Sequence, residues 1–350
     1  MAEKIRIGII GAGNIAQSSH LPVYVKHADV ELVAVCDQNY QRACEVKEKY
    51  GMKYAFATIE ELLAISGELD AVSICVWNNA HAKAAIGAAK AGLHVLCEKP
   101  MAMTVAEAEA MVQAAKENVG KVFMMGFVNR YRSDSIALKS TIDAGRLGDI
   151  YFVRAGILRR RGTPLGWFTD KAKSGGGPVI DIGVHAIDLA WYFMGRPKPI
   201  SVSATTYGPL GDYQTKGVSR WKAYDLEDLV FNVEDSANGF IRFENGATMN
   251  FEVSWAINGK QEGQYSYLYG TKAGASIEPL TIYGEQPSGY LSDETITFPR
   301  EGMFDNELAH FLDCIRTGKQ PISPAEDGLN MQKMLCGIYE SAQAGKEILL

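Results

Sequence analysis

One glycine-rich segment of the sequence carries an aspartate and a histidine at helical spacing. Within Gly175–Asp188, Asp181 and His185 are four positions apart, which would place both on one face of a helix, with Asp188 near by. An imidazole has a pKa suited to taking a proton at neutral pH, and a carboxylate could orient the ring or contact a substrate hydroxyl. The alternative is a helix-start aspartate beside a packed histidine. A metal site is less favoured, because no third ligand lies at useful spacing.

A lysine follows a short apolar segment with the pattern of a buried strand. The segment His94–Cys97 continues into Glu98, Lys99 and Pro100. At the carboxyl end of a parallel strand, Lys99 would lie on the edge where ligands bind, and the proline would restrict it to extended geometry. Its ammonium group could then stabilise an oxygen on which negative charge develops. A single lysine could equally be an ordinary solvated side chain.

The first strand pattern leads into a glycine-rich turn. Gly11, Gly13 and Ala16 form the pattern G-x-G-x-x-A directly after Lys4–Ile10. Gly11 would allow a tight turn, and Gly13 would let the backbone approach a pyrophosphate at the N-terminus of the following helix. The second strand ends at Asp37, where a carboxylate can meet the ribose hydroxyls of a dinucleotide. The context of the turn favours a cofactor site over a purely structural turn.

Asp37 also bears on the choice of cofactor. Its carboxylate would repel a 2′-phosphate, and the next residues are Gln38 and Asn39 rather than an arginine. The sequence therefore favours NAD over NADP. The alternative is that Asp37 only caps the next helix.

Short apolar runs alternate with helical patterns over residues 1–126. Near-continuous apolar strands between helices are typical of a parallel sheet covered on both faces, so we expect a doubly wound dinucleotide-binding (Rossmann) domain here. The apolar runs are Lys4–Ile10, Glu31–Cys36, Lys53–Ala55, Ala71–Val76, His94–Cys97 and Lys121–Phe127, and the helical patterns include Asn39–Tyr50, His81–Ala91 and Thr104–Asn118.

The pattern changes over residues 127–350. Alternating strands joined by a hairpin turn at Glu244–Gly246 indicate an α+β domain with a large open, mainly antiparallel sheet, which would bind substrate and form oligomers. The predicted strands are Tyr151–Leu158, Leu229–Val233, Gly239–Phe243 and Ala247–Trp255, and the predicted helices are Ser135–Ala144, Asn306–Thr317 and Pro324–Ala344.

The composition is that of a globular protein without a nucleic-acid or membrane partner. The 350 residues carry a net charge of −6, which argues against binding of nucleic acid. No apolar run approaches the ~20 residues that span a bilayer, and the start of the chain enters a strand pattern without a signal-peptide core. The six cysteines are scattered without a CxxC pair, so we expect a cytoplasmic protein without a zinc site.

Several segments taken together resemble one known family. Gly11–Ala16, Asp37, Ser73–His81, Ala91–Ala102 and Gly175–Asp188 resemble the Gfo/Idh/MocA family, which includes inositol and glucose-type dehydrogenases and glucose–fructose oxidoreductase. The resemblance extends along nearly the whole chain, although residues beyond about 200 carry little that can be matched. It implies a nicotinamide cofactor and hydride transfer to or from a secondary hydroxyl or ketone of a sugar, a cyclic polyol or a derivative.

The resemblance also implies roles for three residues. By position, Lys99, Asp181 and His185 match the family's catalytic lysine, aspartate and histidine. His185 would carry the proton, Asp181 would be its partner or a substrate ligand, and Lys99 would polarise the oxygen. The expected substrate-contacting residues are Asn129, Arg130, Trp167, Asp181 and His185.

The cofactor loop after the fourth strand departs from the family pattern. Where the family commonly has Thr-Pro-Asn, this chain has Trp77 in place of the proline, while Asn78 and His81 keep their expected places. The indole could stack near the cofactor or fill a gap in the core. The expected cofactor-binding residues are Gly11, Gly13, Asn14, Ile15, Asp37, Val76, Trp77, Asn78, His81, Glu98 and Lys99.

Two other functions are compatible with the resemblance. The family includes glycosidases that retain NAD and oxidise their substrate transiently, and a galactose-pathway transcriptional repressor. Lys99, Asp181 and His185 together favour an enzyme over a sensor, because a binding protein needs no acid–base set. The open sheet face and the resemblance suggest a homodimer or homotetramer.

Overall fold

The computed structural model describes residues 3–211, 213–223 and 230–350. Its contacts divide the chain into two compact units, of which the first comprises Met1–Val128 and Met303–Gln332 and the second Asn129–Gly302 and Lys333–Leu350. Met303–Gln332, which the sequence analysis placed with the second domain, therefore groups with the first unit. One reason is backbone pairing, since the Met125 amide donates to the Ser323 carbonyl at 2.8 Å.

The first unit is built on a parallel six-stranded sheet. The strands lie in the order β3-β2-β1-β4-β5-β6, which is the order of a doubly wound dinucleotide-binding sheet. All four residues of β4 and all five of β5 are buried, as expected where helices cover both faces. The predicted Rossmann fold is therefore confirmed. The strands are β1 Ile5–Ile10, β2 Val30–Cys36, β3 Tyr54–Phe56, β4 Ala71–Ile74, β5 His94–Glu98 and β6 Phe123–Gly126.

The helices begin where the sequence supplies capping groups. Thr58 and Thr104 each accept a hydrogen bond from the backbone of a glutamate three residues later, and that glutamate caps the threonine in return. The helices are α1 Leu21–Tyr24, α2 Tyr40–Tyr50, α3 Ile59–Leu63, α4 His81–Lys90, α5 Val105–Glu117, α6 Ser133–Asp143, α7 Lys171–Ser174, α8 Val184–Phe193, α9 Met303–Thr317 and α10 Ala325–Ala344. None of those in the described residues is both long and apolar enough to cross a membrane.

The second unit contains a nine-stranded, mainly antiparallel sheet. Its order is β14-β13-β12-β11-β7-β10-β9-β8-β15, and β7 pairs with β10 in parallel. The predicted turn at Asn245 and Gly246 joins β9 to β10, and Gly246 has the positive φ of 82° that favours glycine. The strands are β7 Ile150–Leu158, β8 Pro199–Tyr207, β9 Ser236–Phe243, β10 Thr248–Ser254, β11 Gly263–Gly270, β12 Gly274–Ile277, β13 Leu280–Glu285, β14 Leu291–Thr295 and β15 Ile348–Leu349.

This second sheet has one covered face and one open face. Helix α8 packs against β7 and β11. Arg154, Asn238 and Asn250 are exposed and line a shallow depression of about 490 Å³ on the sheet, which they share with the half-buried Glu252. The alternation of buried and exposed residues along β7 and β10 confirms the predicted open sheet.

The predicted strand Leu229–Val233 is wrong where it can be checked. Leu229 lies outside the described residues, and the chain from 230 to 233 is irregular rather than a strand. Its polar groups are used elsewhere: the Asn232 amide donates to the Thr169 carbonyl at 3.1 Å, and the Thr169 hydroxyl donates to the Val230 carbonyl at 2.6 Å. The strand β9 begins only at Ser236.

Candidate active site

The glycine turn after β1 lies against the end of β4. Gly11 has a φ of 94°, and a Cβ atom there would lie 2.6 Å from the carbonyl oxygen of Cys75, so the turn requires glycine. A Cβ atom on Gly13 would meet nothing within 4 Å, which leaves open space in front of the backbone at that position. Asn14 and Ile15 begin the following helix and are half-buried. These features fit a pyrophosphate approaching the backbone at the helix N-terminus.

Asp37 links the glycine turn to the end of β2. Its Oδ2 atom accepts a hydrogen bond from the Ala12 amide at 2.8 Å, and its Oδ1 atom accepts from the Arg42 guanidinium at 2.7 Å. Asn39, rather than Asp37, is the N-cap residue of α2. Arg42 was not predicted to be near Asp37, because it lies five positions further along the chain, and the first turn of α2 brings its side chain to this carboxylate.

His81 connects the loops that follow β4 and β5. Its Nδ1 atom lies 2.6 Å from the Pro100 carbonyl oxygen, and its Nε2 atom lies 3.1 Å from the Val76 carbonyl oxygen. Burial lowers the pKa of His81, so the ring is neutral at pH 7 and donates to one of the two carbonyls. Trp77 is half-buried, and Asn78 is buried at the start of a short 3₁₀ turn.

A buried ion pair between His20 and Glu98 lies next to the backbone of Lys99. The His20 Nε2 atom lies 2.9 Å from Glu98 Oε1, while Glu98 Oε2 accepts a hydrogen bond from the Lys99 amide at 3.3 Å. Burial opposes a charge on His20, but Cys75 and Glu98 outweigh it and raise its pKa to about 10. Burial also opposes the charge on Glu98, yet His20 holds the pKa of Glu98 below its usual value. Both groups are therefore charged at neutral pH.

Glu307, on α9, is a second carboxyl group near this pair. It is fully buried, and neither carboxyl oxygen has a hydrogen-bond partner among the described residues. Burial raises the pKa of Glu307 well above its usual value, and the negative charge of Glu98 raises it further. Glu307 is therefore a neutral acid at pH 7, and no feature of the sequence had marked it.

In the second unit, Glu234 caps the segment that carries the predicted acid–base pair. Its carboxylate accepts hydrogen bonds from the amides of Gly177 and Val179 at 3.0–3.1 Å and from the Tyr339 hydroxyl at 2.8 Å. A Cβ atom on Gly176 would collide with Tyr339, and one on Gly177 would collide with the Glu234 backbone. The glycine run thus allows the helical segment to begin in direct contact with its capping carboxylate.

Asp181 and His185 are the accessible residues of an otherwise buried segment. The chain is helical through a π-type turn at Val179–Gly183 and then α8. From 176 to 191, all residues except Asp181 and His185 are buried. The Trp255 indole donates a hydrogen bond to Asp181 Oδ2 at 3.0 Å. The predicted helix is confirmed, and its two half-buried polar side chains are separated by about one turn.

The other expected substrate residues have different surroundings. Arg130 is fully buried and makes a two-point ion pair with Asp188, with nitrogen–oxygen distances of 2.6 and 3.0 Å, while its guanidinium lies 4.8 Å from the centre of the Tyr192 ring. Asn129 is also buried, and its amide lies 3.5 Å from Gln264 Oε1. Trp167 is half-buried. Arg130 and Asn129 therefore support the second unit from within, whereas Trp167 keeps an accessible surface.

The structure thus groups the predicted residues in two sets. In the first unit, the expected cofactor residues follow the carboxyl ends of β1, β2, β4 and β5, which is the ligand-binding edge of such a sheet. In the second unit, Asp181 and His185 share one helical segment. No group of three or more metal-ligating side chains occurs among the residues that the structure describes.

Comparisons with known proteins agree with this arrangement. Residues 5–127 match the family described as "Oxidoreductase family, NAD-binding Rossmann fold", and residues 136–276 match the "GFO/IDH/MocA C-terminal domain". The chain is similar to D-glucoside 3-dehydrogenase of Escherichia coli K12, with 35% identity over 99% of this chain and 97% of the relative.

Two further comparisons point to the same chemistry. Glucose-6-phosphate 3-dehydrogenase of Bacillus subtilis is 38% identical over 53% of each chain. The crystal structure of aldose-aldose oxidoreductase from Caulobacter crescentus, complexed with glycerol, has a TM-score of 0.81 at 26% identity and covers 99% of this chain and 100% of that one.

The fold and the comparisons define a nicotinamide-dependent dehydrogenase that acts on CH–OH groups of sugars. The chain belongs to the Gfo/Idh/MocA family of oxidoreductases.

The buried neutral carboxyl group of Glu307 predicts a pH-dependent effect on stability. In the unfolded chain a glutamate ionises above about pH 4.3, whereas folded Glu307 keeps its proton, so rising pH favours the unfolded state. We expect Glu307→Gln to change the free energy of unfolding least near pH 4. Its stabilising effect should then grow as the pH rises above about 5, with a slope of at most about 1.4 kcal/mol per pH unit.

Urea unfolding of wild type and variant at a series of pH values measures this difference. Glu109→Gln, at an exposed position of α5, is the matched control. A Glu307→Gln difference that is the same at every pH would show that Glu307 is ionised in the folded protein.

Proposed function

We propose that this protein is an NAD-dependent dehydrogenase that oxidises the 3-hydroxyl of a glucose-type sugar, above all of a D-glucoside. The observation that carries the proposal is the accessible pair Asp181 and His185 on a buried helical segment, in a chain of this family. Two relatives, the D-glucoside and the glucose-6-phosphate enzymes, are named as 3-dehydrogenases, which supports the choice of the 3-hydroxyl.

In the proposed mechanism His185 takes the hydroxyl proton as the carbonyl forms. The His185 side chain is only half-buried, so a substrate can approach it. An imidazole is the side chain best suited to accept a proton at neutral pH. Asp181 orients His185 or a substrate hydroxyl. The Trp255 indole fixes one oxygen of the Asp181 carboxylate at 3.0 Å, which restricts the direction in which the group can act.

Lys99 serves as the polarising cation in this proposal. It stands directly after β5, at the carboxyl edge of the sheet, and its backbone amide is held by Glu98. The ion pair with His20 holds the Glu98 side chain in place, and Glu98 in turn holds the Lys99 backbone. The Lys99 side chain is therefore attached to a well-fixed backbone. A fixed positive charge stabilises the substrate oxygen as it loses its proton.

The residues at the sheet edge fit a dinucleotide, and we propose that they bind NAD. Gly11, Gly13, Asn14 and Ile15 would hold the pyrophosphate, and Asp37 the adenosine ribose. The remaining contacts would come from the residues after β4 and β5, namely Val76, Trp77, Asn78, His81, Glu98 and Lys99. The nicotinamide supplies a hydride acceptor when bound. The Asp37 carboxylate favours NAD, although Arg42 beside it brings a positive charge close to the position of a 2′-phosphate.

The open face of the second sheet supports a proposal about assembly. Its polar depression of about 490 Å³ lies on exposed residues of several strands, and such a face can bury itself against a second copy of the chain. We therefore propose a homodimer or homotetramer.

An NAD-retaining glycosidase is the second candidate that the family resemblance leaves open. It would use the same acid–base residues but return the hydride to its own substrate. Net formation of NADH during turnover of a glucoside, without release of the aglycone, distinguishes the dehydrogenase from it.

The proposed roles of Lys99 and His185 predict losses of turnover that are much larger than any loss of NAD affinity. We expect Lys99→Ala and His185→Ala each to lower kcat by about 10²-fold or more, because the first removes the proposed polarising cation and the second the proposed proton acceptor. NADH formation with methyl D-glucoside measures turnover, and a fluorescence titration measures NAD affinity. Lys83→Ala, at an exposed position of α4, is the control.

Each variant is tested with a substrate that wild type oxidises. If Lys99→Ala or His185→Ala turns this substrate over as fast as wild type does, the proposed catalytic role of that residue is wrong.

The proposed role of Asp37 predicts a change in cofactor preference. We expect Asp37→Ala to weaken NAD binding by about 10-fold and to reduce the discrimination against NADP, because the ribose loses its acceptor and Arg42 loses its carboxylate. Titrations with NAD and NADP measure both effects. Asp70→Ala is a matched control, since Asp70 pairs with Arg6 at the opposite end of the same sheet. Unaltered affinity and preference in Asp37→Ala would mean that Asp37 does not contact the ribose.

A further inference from the structure

A group of accessible aromatic rings lies on two loops of the second unit. The Trp167 and Phe168 rings are stacked, with centroids 4.1 Å apart, and the Trp221 ring meets Phe168 edge-on at 5.3 Å. Trp221 is 50% exposed, and the other two are half-buried, so ring surface remains accessible. We refer to Trp167, Phe168 and Trp221 as the aromatic platform.

Backbone contacts build this platform. The Leu165 amide donates to the Trp221 carbonyl at 2.9 Å, and the Ala223 amide donates to the Leu165 carbonyl at 3.1 Å, so the two loops pair over a short stretch. Gly166, which follows Leu165 on the first loop, has a φ of 102°. A Cβ atom there would lie 2.9 Å from the Ala223 side chain on the second loop. The close approach that glycine permits brings the Trp221 ring onto Phe168.

The loop that leads to the platform and the proposed catalytic residue Asp181 both contact one residue, Trp255. Trp255 is fully buried; its indole donates to Asp181 Oδ2 at 3.0 Å, and its carbonyl accepts from the Gly162 amide at 2.7 Å. Gly162 lies on the loop between the end of β7 at Leu158 and the Trp167–Phe168 pair. The same residue therefore anchors both the carboxylate and the loop of the platform.

The guanidinium of Arg161, on the loop that leads to the platform, is engaged by other groups of the protein. Tyr213 lies between Arg161 and Arg220, whose guanidinium carbons are 5.4 and 5.0 Å from the centre of its ring. The Arg161 guanidinium uses its donors within the protein, to Thr215 Oγ1 at 3.1 Å, to Asn258 Oδ1 at 2.9 Å and to backbone carbonyls. Arg161 is thus committed to holding loops rather than to binding a phosphate.

We infer that the aromatic platform is a binding site for the aglycone of a neutral glycoside, either an aryl group or a second sugar ring. Such groups present flat, largely apolar surfaces that stack on aromatic rings. The inference rests on the proposed function and refines it: the oxidised glucosyl ring would lie by Asp181 and His185, and the group attached to it would lie on the platform. Glycosides with a planar or cyclic aglycone are then better substrates than free glucose.

Steady-state kinetics with substrates that differ only in the aglycone test this inference. The panel is D-glucose, methyl D-glucoside, phenyl D-glucoside and UDP-glucose, with both anomers of each glucoside. For wild type we expect the KM of phenyl glucoside to be roughly 10-fold below that of methyl glucoside. In Trp221→Ala the two KM values should come within about 2-fold, with kcat for methyl glucoside unchanged, whereas Trp221→Phe should keep part of the difference.

Matched variants guard against a general effect on folding. Phe168→Ala should act like Trp221→Ala, and Tyr290→Ala, which removes a 74% exposed ring on the β13–β14 turn, should change neither KM. Equal KM values for the two glucosides in wild type, or an unchanged ratio in Trp221→Ala, overturn the inference. A preference for UDP-glucose that is lost in Trp221→Ala overturns the assignment to a neutral aglycone.

A binding measurement separates this inference from the proposed function. Calorimetric titration with phenyl glucoside does not require turnover. Wild type could oxidise no member of the panel and still bind phenyl glucoside, with this binding lost in Trp221→Ala. That result would contradict the proposed function and support the platform as a binding site. If turnover occurs and this binding is insensitive to Trp221→Ala, the platform fails and the proposed function stands.

Discussion

The close approach of the Gly11 backbone to the end of β4 is the constraint on which the cofactor edge depends. No side chain fits there, since a Cβ atom would lie 2.6 Å from the Cys75 carbonyl oxygen. Because β1 and β4 can end side by side, the glycine turn, Asp37 and the loops after β4 and β5 all lie along one edge of the sheet. The same packing brings the helix that follows the turn, with His20 on it, against Glu98. A short run of small residues thus leaves open space at Gly13, where we propose that a pyrophosphate binds, and allows the His20–Glu98 contact beside Lys99.

In the second unit, the proposed functional side chains are held by contacts between side chains rather than by a glycine turn. Asp181 and His185 must be accessible, yet the segment that carries them is otherwise buried. Glu234 holds the start of this segment, Trp255 holds the Asp181 carboxylate, and the Arg130–Asp188 ion pair lies further along α8. Buried polar groups of this kind need partners to be stable, and here the partners also fix the direction of a functional side chain. The segment that carries the proposed acid–base pair is therefore held by Glu234, by Trp255 and by the Arg130–Asp188 ion pair.

Local pattern predicted the first sheet well, because each of its strands is a short apolar run with nearby helices. It predicted the second sheet only in part. Strand β8 alternates threonine and serine with apolar residues, and its partner β15 lies at the other end of the unit, so no local signal marks either. Val230 and Phe231 have the composition of a strand, but the hydrogen bonds of this segment go to the turn at Thr169 instead.

The same distinction applies to the site. Spacing predicted that Asp181 and His185 share a helical face, and the glycine pattern predicted the cofactor turn. Glu234 lies 57 positions from the glycine that it caps, and His20 lies 78 positions from Glu98, so these contacts could not be predicted from spacing. A histidine on a helix and a glutamate in a loop are common residues whose role becomes visible only when the fold brings them together.

The central claim is that hydride moves between a nicotinamide and carbon 3 of a glucosyl ring. The most direct measurement uses methyl D-glucoside carrying deuterium at carbon 3, with NAD and the purified protein, and mass spectrometry of the cofactor after turnover. We predict that the reduced cofactor carries one deuterium and that the sugar product has a ketone at carbon 3. Reduced cofactor without deuterium, or a product oxidised at another carbon, would contradict it.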